Sequence, residues 1–261
     1  MAADGYDIVR LARQKGITVE QLLNEIDPTA FHEEQLRRII RQVIRHWSQG
    51  RGSVIEAYGT GDRSAVQEVL NRLKAETSPL VQTAGSNWGG IVQQVGAWHT
   101  GEFAASVAGA LDIDVSPLMR AEAIEPALRE TTKQGALLIK DVDDQTAQRI
   151  ADATFDAFES GNGSAQLRKD LKEVIDASNT RARLIARDQL GKLTGRLDEL
   201  RQTEAGIASY IWSTVGDHRV RPAHLDREGE AFKWSEPPED GHPGEPVACR
   251  CRARAVIPGM E

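Results

Sequence analysis

Hydrophobic residues recur at three- and four-residue steps through most of the first 205 positions, which is the spacing of amphipathic helices. One predicted helix runs from Ser64, a candidate N-cap, to Glu76. The Ala- and Gly-rich stretch from Val81 to Leu111 predicts closely packed helices. The clearest single stripe lies between Glu33 and Trp47 and consists of Leu36, Ile39, Ile40, Val43, Ile44 and Trp47.

Helix-boundary residues predict further helices in the middle of the chain. Ser116-Pro117 has the N-cap and first-turn chemistry of a helix start. A helix from about Asp144 to Glu159 is predicted to end at Gly161, because glycine favours the left-handed backbone that follows a helix. Ser164 is predicted to cap the next helix, and another follows from about Thr180 to Thr203.

The pattern changes after Gly206. Residues 207–215 are β-branched and aromatic and predict a strand, and residues 230–234 and 253–257 predict two shorter strands. Six of the ten prolines follow position 221, which excludes long helices there. The predicted fold class is therefore α+β, with a predominantly helical body and a small C-terminal β-rich cap. The predicted divisions are residues 1–125, 126–206 and 207–261.

Composition and charge exclude several classes of protein. No apolar run approaches the ~20 residues that a membrane helix needs, and residues 1–16 lack the apolar core of a signal peptide. Two cysteines in 261 residues do not make a disulfide scaffold. The formal charge is −7, and the acidic excess lies within residues 1–180, whereas residues 181–261 are balanced. A general nucleic-acid coat is excluded, because phosphate binding needs a basic surface.

Residues that can carry chemistry are concentrated in the predicted cap. Three of the six histidines and both cysteines lie between Asp217 and Cys251. The segment reads WSTVGDHRVRPAHLDREG, followed by a loop that ends in CRC. This segment resembles the phage Mu F-like family of head morphogenesis proteins, also called minor capsid proteins, over about residues 130–258. The resemblance depends on Trp212, Thr214, Asp217, Arg219, Val220, Arg221, His224, Gly229, Phe232, Cys249, Arg250 and Cys251.

The resemblance implies a virion protein made in few copies, associated with the portal or the inner head during assembly in the host cytoplasm. The portal protein, the major capsid protein and the packaged double-stranded DNA are its expected partners, and no membrane is involved. It implies no known reaction, so we predict that the chain is not an enzyme. The family's N-terminal part is variable and helical, which is all that the resemblance says of residues 1–125.

Two interpretations of the His and Cys residues remain open. His224, His242, Cys249 and Cys251 have the ligand types of a tetrahedral Zn²⁺ site. In many relatives a C-x-x-C pair occupies the positions of Arg221 and His224, so His242 would have to complete the set here. Alternatively, the cysteines alternate about a strand and His224 is hydrogen-bonded. A zinc-binding nucleic-acid module is thus a second functional hypothesis.

The charged residues of the cap have structural and functional interpretations. Asp217 can accept backbone N–H groups in a turn and pair with Arg219 or Arg221. Asp217, His218 and His224 also have acid–base chemistry, so an enzyme acting on nucleic acid or protein is a third hypothesis. Arg250, Arg252 and Arg254 alternate and so share one side of a strand, where they either contact DNA or a partner or protect the edge. Arg37, Arg41 and Arg45 form a solvated helix face or a docking face.

Overall fold

The computed structural model describes residues 6–17, 20–28 and 30–257. The predicted regions 1–125 and 207–261 both extend beyond these ranges. The described elements comprise six α-helices and four short strands. The helices are α1 (Ile8–Gln14), α2 (Ala30–Gly59), α3 (Arg63–Leu111), α4 (Glu125–Ser160), α5 (Ser164–Glu204) and α6 (Pro222–Leu225). The strands are β1 (Gln21–Leu22), β2 (Ser209–Ser213), β3 (Ala231–Lys233) and β4 (Arg252–Ile257). This is the predicted α+β fold with a helical body.

The chain divides into two compact units, each built from separate stretches of sequence. The first unit comprises residues 1–32, 92–131 and 187–261, and the second comprises residues 33–91 and 132–186. Helices α2, α3, α4 and α5 each contribute residues to both units.

The second unit has the core that the helical pattern predicts. All six apolar residues of the α2 stripe, from Leu36 to Trp47, are buried. Glycines let the helices approach closely, since a Cβ at Gly135 would lie 2.0 Å from the Trp88 indole nitrogen. The Trp47 indole N–H donates to the buried Asp143 carboxylate at 2.6 Å, so this core also holds a polar centre.

The first unit contains a four-stranded antiparallel sheet of order β1-β4-β2-β3. A larger apolar cluster includes Ile8 of α1, Phe103 of α3 and Ile257 of β4. A smaller apolar cluster forms the core of the cap and consists of Tyr210, Trp212, Trp234, Cys249, Cys251 and Ala253. Trp212 and Trp234 therefore pack in the cap core, as the sequence predicts.

Several predicted helix boundaries are wrong. Ser64 does not cap α3, because the Asp62 carboxylate accepts the Ser64 N–H at 2.8 Å and the helix begins at Arg63. The helix predicted to end at Glu76 and the stretch from Val81 to Leu111 form one helix, α3, which contains Pro79. The helices predicted on either side of Thr180 are one helix, α5. Ser116-Pro117 begins only a single 3₁₀ turn, Ser116–Leu118. None of the described helices combines the length and apolar character that crossing a bilayer requires.

Candidate functional site

His224, Cys249 and Cys251 come together in the interior of the cap. The His224 Nδ1 atom lies 3.7 Å from the Cys249 Sγ and 3.4 Å from the Cys251 Sγ. The three potential ligand atoms all lie within 4.8 Å of one another, and all three residues are buried. Both cysteines are free thiols. We refer to these residues as the His/Cys cluster.

Different segments of the cap position the three members. His224 lies on α6, a single turn that begins with Pro222, whose fixed φ suits a helix start. The Cys249 N–H donates to Pro246 O at 2.9 Å, which closes a turn before β4. Ala248 adopts the left-handed φ of 55° in that turn, and its N–H is held by the Asp188 carboxylate at 2.9 Å. The sulfur positions are thus tied to helix α5.

Helix α5 admits the loops of the cap because two of its residues lack side chains. A Cβ at Gly195 would lie 2.3 Å from Pro243 O, and one at Gly191 would lie 2.9 Å from Cys249 O. Both atoms are backbone carbonyl oxygens, so neither approach leaves room for a methyl group. These glycines allow the cysteine-bearing loop to lie against α5. From sequence, the one signal that could have identified them is the presence of glycine inside a predicted helix.

The surroundings of the cluster orient His224. The Asp240 carboxylate lies 2.8 Å from the His224 Nε2 atom and also accepts the Arg227 guanidinium at 2.5 Å. Trp212 contacts the His224 ring edge-on, with centroids 5.2 Å apart, and Arg227 lies over the Trp212 ring. Asp240 was missed by the sequence analysis, since it lies 16 positions from His224 in a loop without periodicity.

The two thiols influence each other's ionisation. A hydrogen bond between the sulfurs lowers the pKa of Cys249 and raises the pKa of Cys251.

His242, the fourth predicted ligand, lies apart from the cluster. Its Nδ1 atom is 2.8 Å from the Tyr210 hydroxyl, and its ring packs on Trp234 with centroids 4.9 Å apart. Arg221, at the position where many relatives have a cysteine, donates to Val247 O at 2.7 Å. It links the start of α6 to the loop before Cys249.

The remaining motif residues organise the turns around β2. Asp217 accepts the Arg219 N–H at 2.9 Å and binds the Arg250 guanidinium through both oxygens, at 2.8 and 2.5 Å. Hydrogen bonds from these arginines hold the pKa of Asp217 well below its usual range, and Arg250 has the larger effect. Thr214 Oγ1 accepts the Gly216 N–H. Gly229 has a φ of 78°, which favours glycine, and its N–H donates to Trp212 O.

The predicted arginine row does not present three free cations. Arg250 is paired with Asp217, and Arg252 is buried and paired with Asp27 at 2.8 Å. Arg254 is half-buried, and its Nε has no hydrogen-bond partner among the described residues.

The first unit is thus an α+β unit whose small β-rich cap encloses a buried His/Cys cluster. Residues 148–254 match the family described as "Phage Mu protein F like protein". The chain is therefore phage Mu F-like over this region, which confirms the family resemblance seen in the sequence.

Two curated relatives are similar to the chain. An uncharacterized protein of Haemophilus influenzae is 28% identical over 239 residues, which cover 88% of this chain and 54% of that protein. An uncharacterized protein of Methanocaldococcus jannaschii is 31% identical over 111 residues, which cover 42% of this chain and 17% of that protein. The chain thus spans about half the length of the first relative and less of the second. No solved structure matches it.

Proposed function

We propose that this chain is a minor head protein of a tailed phage or phage-derived particle and acts in head morphogenesis. The observation that carries the proposal is the family match over residues 148–254, which includes all of α5 and nearly all of the cap. Three motif residues within that match, His224, Cys249 and Cys251, build one buried site. The proposed role is structural rather than enzymatic, and the portal protein and the major capsid protein are the proposed partners.

The cap suits a rigid interaction module. Its turns are held by charge-assisted contacts such as Asp217–Arg250 and Asp240–Arg227, which are the stronger class of hydrogen bond. Exposed apolar side chains remain on its surface, including Leu225 at 45% and Val247 at 59% exposure. These exposed apolar side chains are available for contacts with another virion protein.

The test is to locate the chain in purified particles. Particles from cells that express an epitope-tagged chain are isolated by density gradient, and peptides of the chain and of the portal protein are quantified by mass spectrometry. We expect the chain in particles at a copy number comparable to that of the portal, with localised density at the portal vertex or inner shell. Particles of normal yield and DNA content that lack the chain would overturn the proposal.

Contact with packaged DNA is a second candidate role, and the observation that favours it lies in the second unit. A cavity of about 260 Å³ is lined by Arg37 and Arg41 of α2 and by Asn179, Thr180 and Arg183 of α5. Glu34 pairs with Arg37, whereas Arg41 and Arg183 are exposed and have no carboxylate partner among the described residues. Two unpaired guanidinium groups at one cavity form a site for phosphate oxygens.

The salt dependence of DNA binding tests this second role. We expect Arg41→Ala and Arg183→Ala each to weaken duplex binding and to reduce the slope of log affinity against log salt by about 1. Arg38→Ala is the matched control, because Arg38 lies on the same helix but is paired with Glu34. Equal losses in all three variants would show a general charge effect and contradict a site at this cavity.

A further inference from the structure

The spacing of the His/Cys cluster is that of ligands around one metal ion. A tetrahedral zinc site, with Zn–S of about 2.3 Å and Zn–N of about 2.0–2.1 Å, places sulfur and nitrogen about 3.6 Å apart. The observed distances from His224 Nδ1 are 3.7 Å to Cys249 Sγ and 3.4 Å to Cys251 Sγ.

A single hydrogen bond to His224 Nδ1 does not account for the approach of both sulfurs. The His224 Nδ1 atom has one in-plane lone pair and so accepts one S–H at a time, yet both sulfurs approach it. A cation between the three atoms satisfies all of them together.

Asp240 fixes the tautomer that a metal ligand needs. Its carboxylate lies 2.8 Å from His224 Nε2, so that nitrogen carries the proton and Nδ1 is left with its lone pair toward the sulfurs. Carboxylate–histidine–metal arrangements of this kind orient the ring and raise its basicity. The Arg227 guanidinium in turn holds Asp240 in place.

The cap also needs a cross-link. Its apolar cluster consists of six buried residues, of which two are the cysteines themselves, and Phe232 packs against it. So small a core provides little burial, and small domains of this kind are commonly stabilised by a metal. A metal at the cluster would join α6 to the turn before β4.

We propose that His224, Cys249 and Cys251 bind one Zn²⁺ ion that locks the cap. Two thiolates and an imidazole are ligands that suit zinc. No fourth His, Cys, Asp or Glu among the described residues joins the group, so water takes the fourth position. His242 is not a ligand, and Asp240 is a positioning residue that acts through His224.

Metal analysis of the full chain tests the proposal. Protein from zinc-supplemented cells is desalted and its zinc measured by mass spectrometry, with about one zinc per chain expected. After chelation, adding Co²⁺ to the unmutated chain is expected to give the thiolate charge-transfer band and the intense visible bands of tetrahedral cobalt. This second readout needs no variant and so does not depend on whether a variant folds.

Five variants define the ligand set. Cys251→Ser and His224→Ala are expected to lose the metal. His242→Ala and the exposed His218→Ala are expected to retain it. Asp240→Asn keeps every ligand and is expected to bind one zinc at saturation, with affinity reduced by about tenfold or more.

Two results would overturn the proposal. One is unmutated chain that carries no zinc and shows no cobalt charge-transfer band. The other is zinc retained at full stoichiometry by both Cys251→Ser and His224→Ala.

Discussion

At the scale of single residues, Asp143 is the polar centre of the second unit. It is buried, it accepts the Trp47 indole N–H at 2.6 Å, and its other oxygen accepts the Lys74 ammonium at 2.5 Å. We expect Asp143→Ala to lower the free energy of unfolding by about 2 kcal/mol, because it leaves a buried N–H without a partner.

Urea denaturation measures this effect, and Asp144→Ala is its control. Asp144 binds the same Lys74, but its side chain is 42% exposed, so its loss is expected to cost less than about 1 kcal/mol. Equal costs for the two variants would contradict the role given to the buried indole contact.

Asp198 predicts a pH dependence of stability in the first unit. Burial raises the pKa of Asp198 above 3.8, and the hydrogen bond from His99 at 2.9 Å only partly opposes this. A raised pKa means that the folded state binds the proton more tightly than the unfolded state. Stability from this group is therefore present below pH 3.8 and lost as the pH rises toward the folded-state pKa.

Asp198→Asn removes this ionisation and retains a hydrogen-bonding side chain. In urea denaturation over a pH series, we expect the variant to gain stability relative to the unmodified chain as the pH rises above 3.8. A relative loss over that range would mean that charged Asp198 is stabilised by His99, contrary to this expectation.

At the scale of elements, the contact of α5 with the cap depends on Gly195. We expect Gly195→Ala to lower the melting temperature and to cost about 1–3 kcal/mol, because the new methyl group meets Pro243 O. Gly101→Ala in α3 is the matched control, since nothing lies within 4 Å of its Cβ position. That variant is expected to gain about 0.5–1 kcal/mol from helix propensity. A melting temperature unchanged in Gly195→Ala would mean that the loop moves freely away from α5.

Local sequence patterns predicted the presence of helices and strands more accurately than the residues at which they begin and end. The α2 stripe and three strands were found because burial imposes a period of 3.6 or 2 on the side chains. The helix predicted to end at Glu76 continues through Pro79 to Leu111, although a proline ring opposes a helix interior. Strand β1 was missed because it has only two residues, which is too few to show an alternation of buried and exposed side chains.

The candidate site was predicted as a set of residue types, and its geometry was not. His224, Cys249 and Cys251 stand out by chemistry alone. Whether His242 or Asp240 lies beside them depends on how a proline-rich loop folds over Tyr210, which no periodic signal encodes. The partners of Arg250 and Arg252, which are Asp217 and Asp27, are likewise distant in sequence.

At the scale of the whole molecule, the segment that matches the family and the compact folding unit cover different residues. The match covers residues 148–254, whereas the first compact unit also includes residues 1–32 and 92–131. Strand β1 pairs with β4 through Leu22–Val256, the Ile8 N–H donates to Ala205 O, and Asp27 pairs with the buried Arg252. The cap is therefore completed by residues far from it in sequence.

A fragment of residues 148–254 is expected to be helical but not cooperatively folded. It lacks Ile8, Leu23, Phe103, Val107 and Leu111 of the larger apolar cluster, and it ends within β4, before the residues that pair with β1. Loss of that burial while α5 persists predicts a far-ultraviolet helical signal, strong binding of a hydrophobic dye and no sharp thermal transition. The full chain under the same conditions, zinc included, is the control and is expected to melt sharply. A sharp transition and weak dye binding in the fragment would show that the family segment folds without the N-terminal residues.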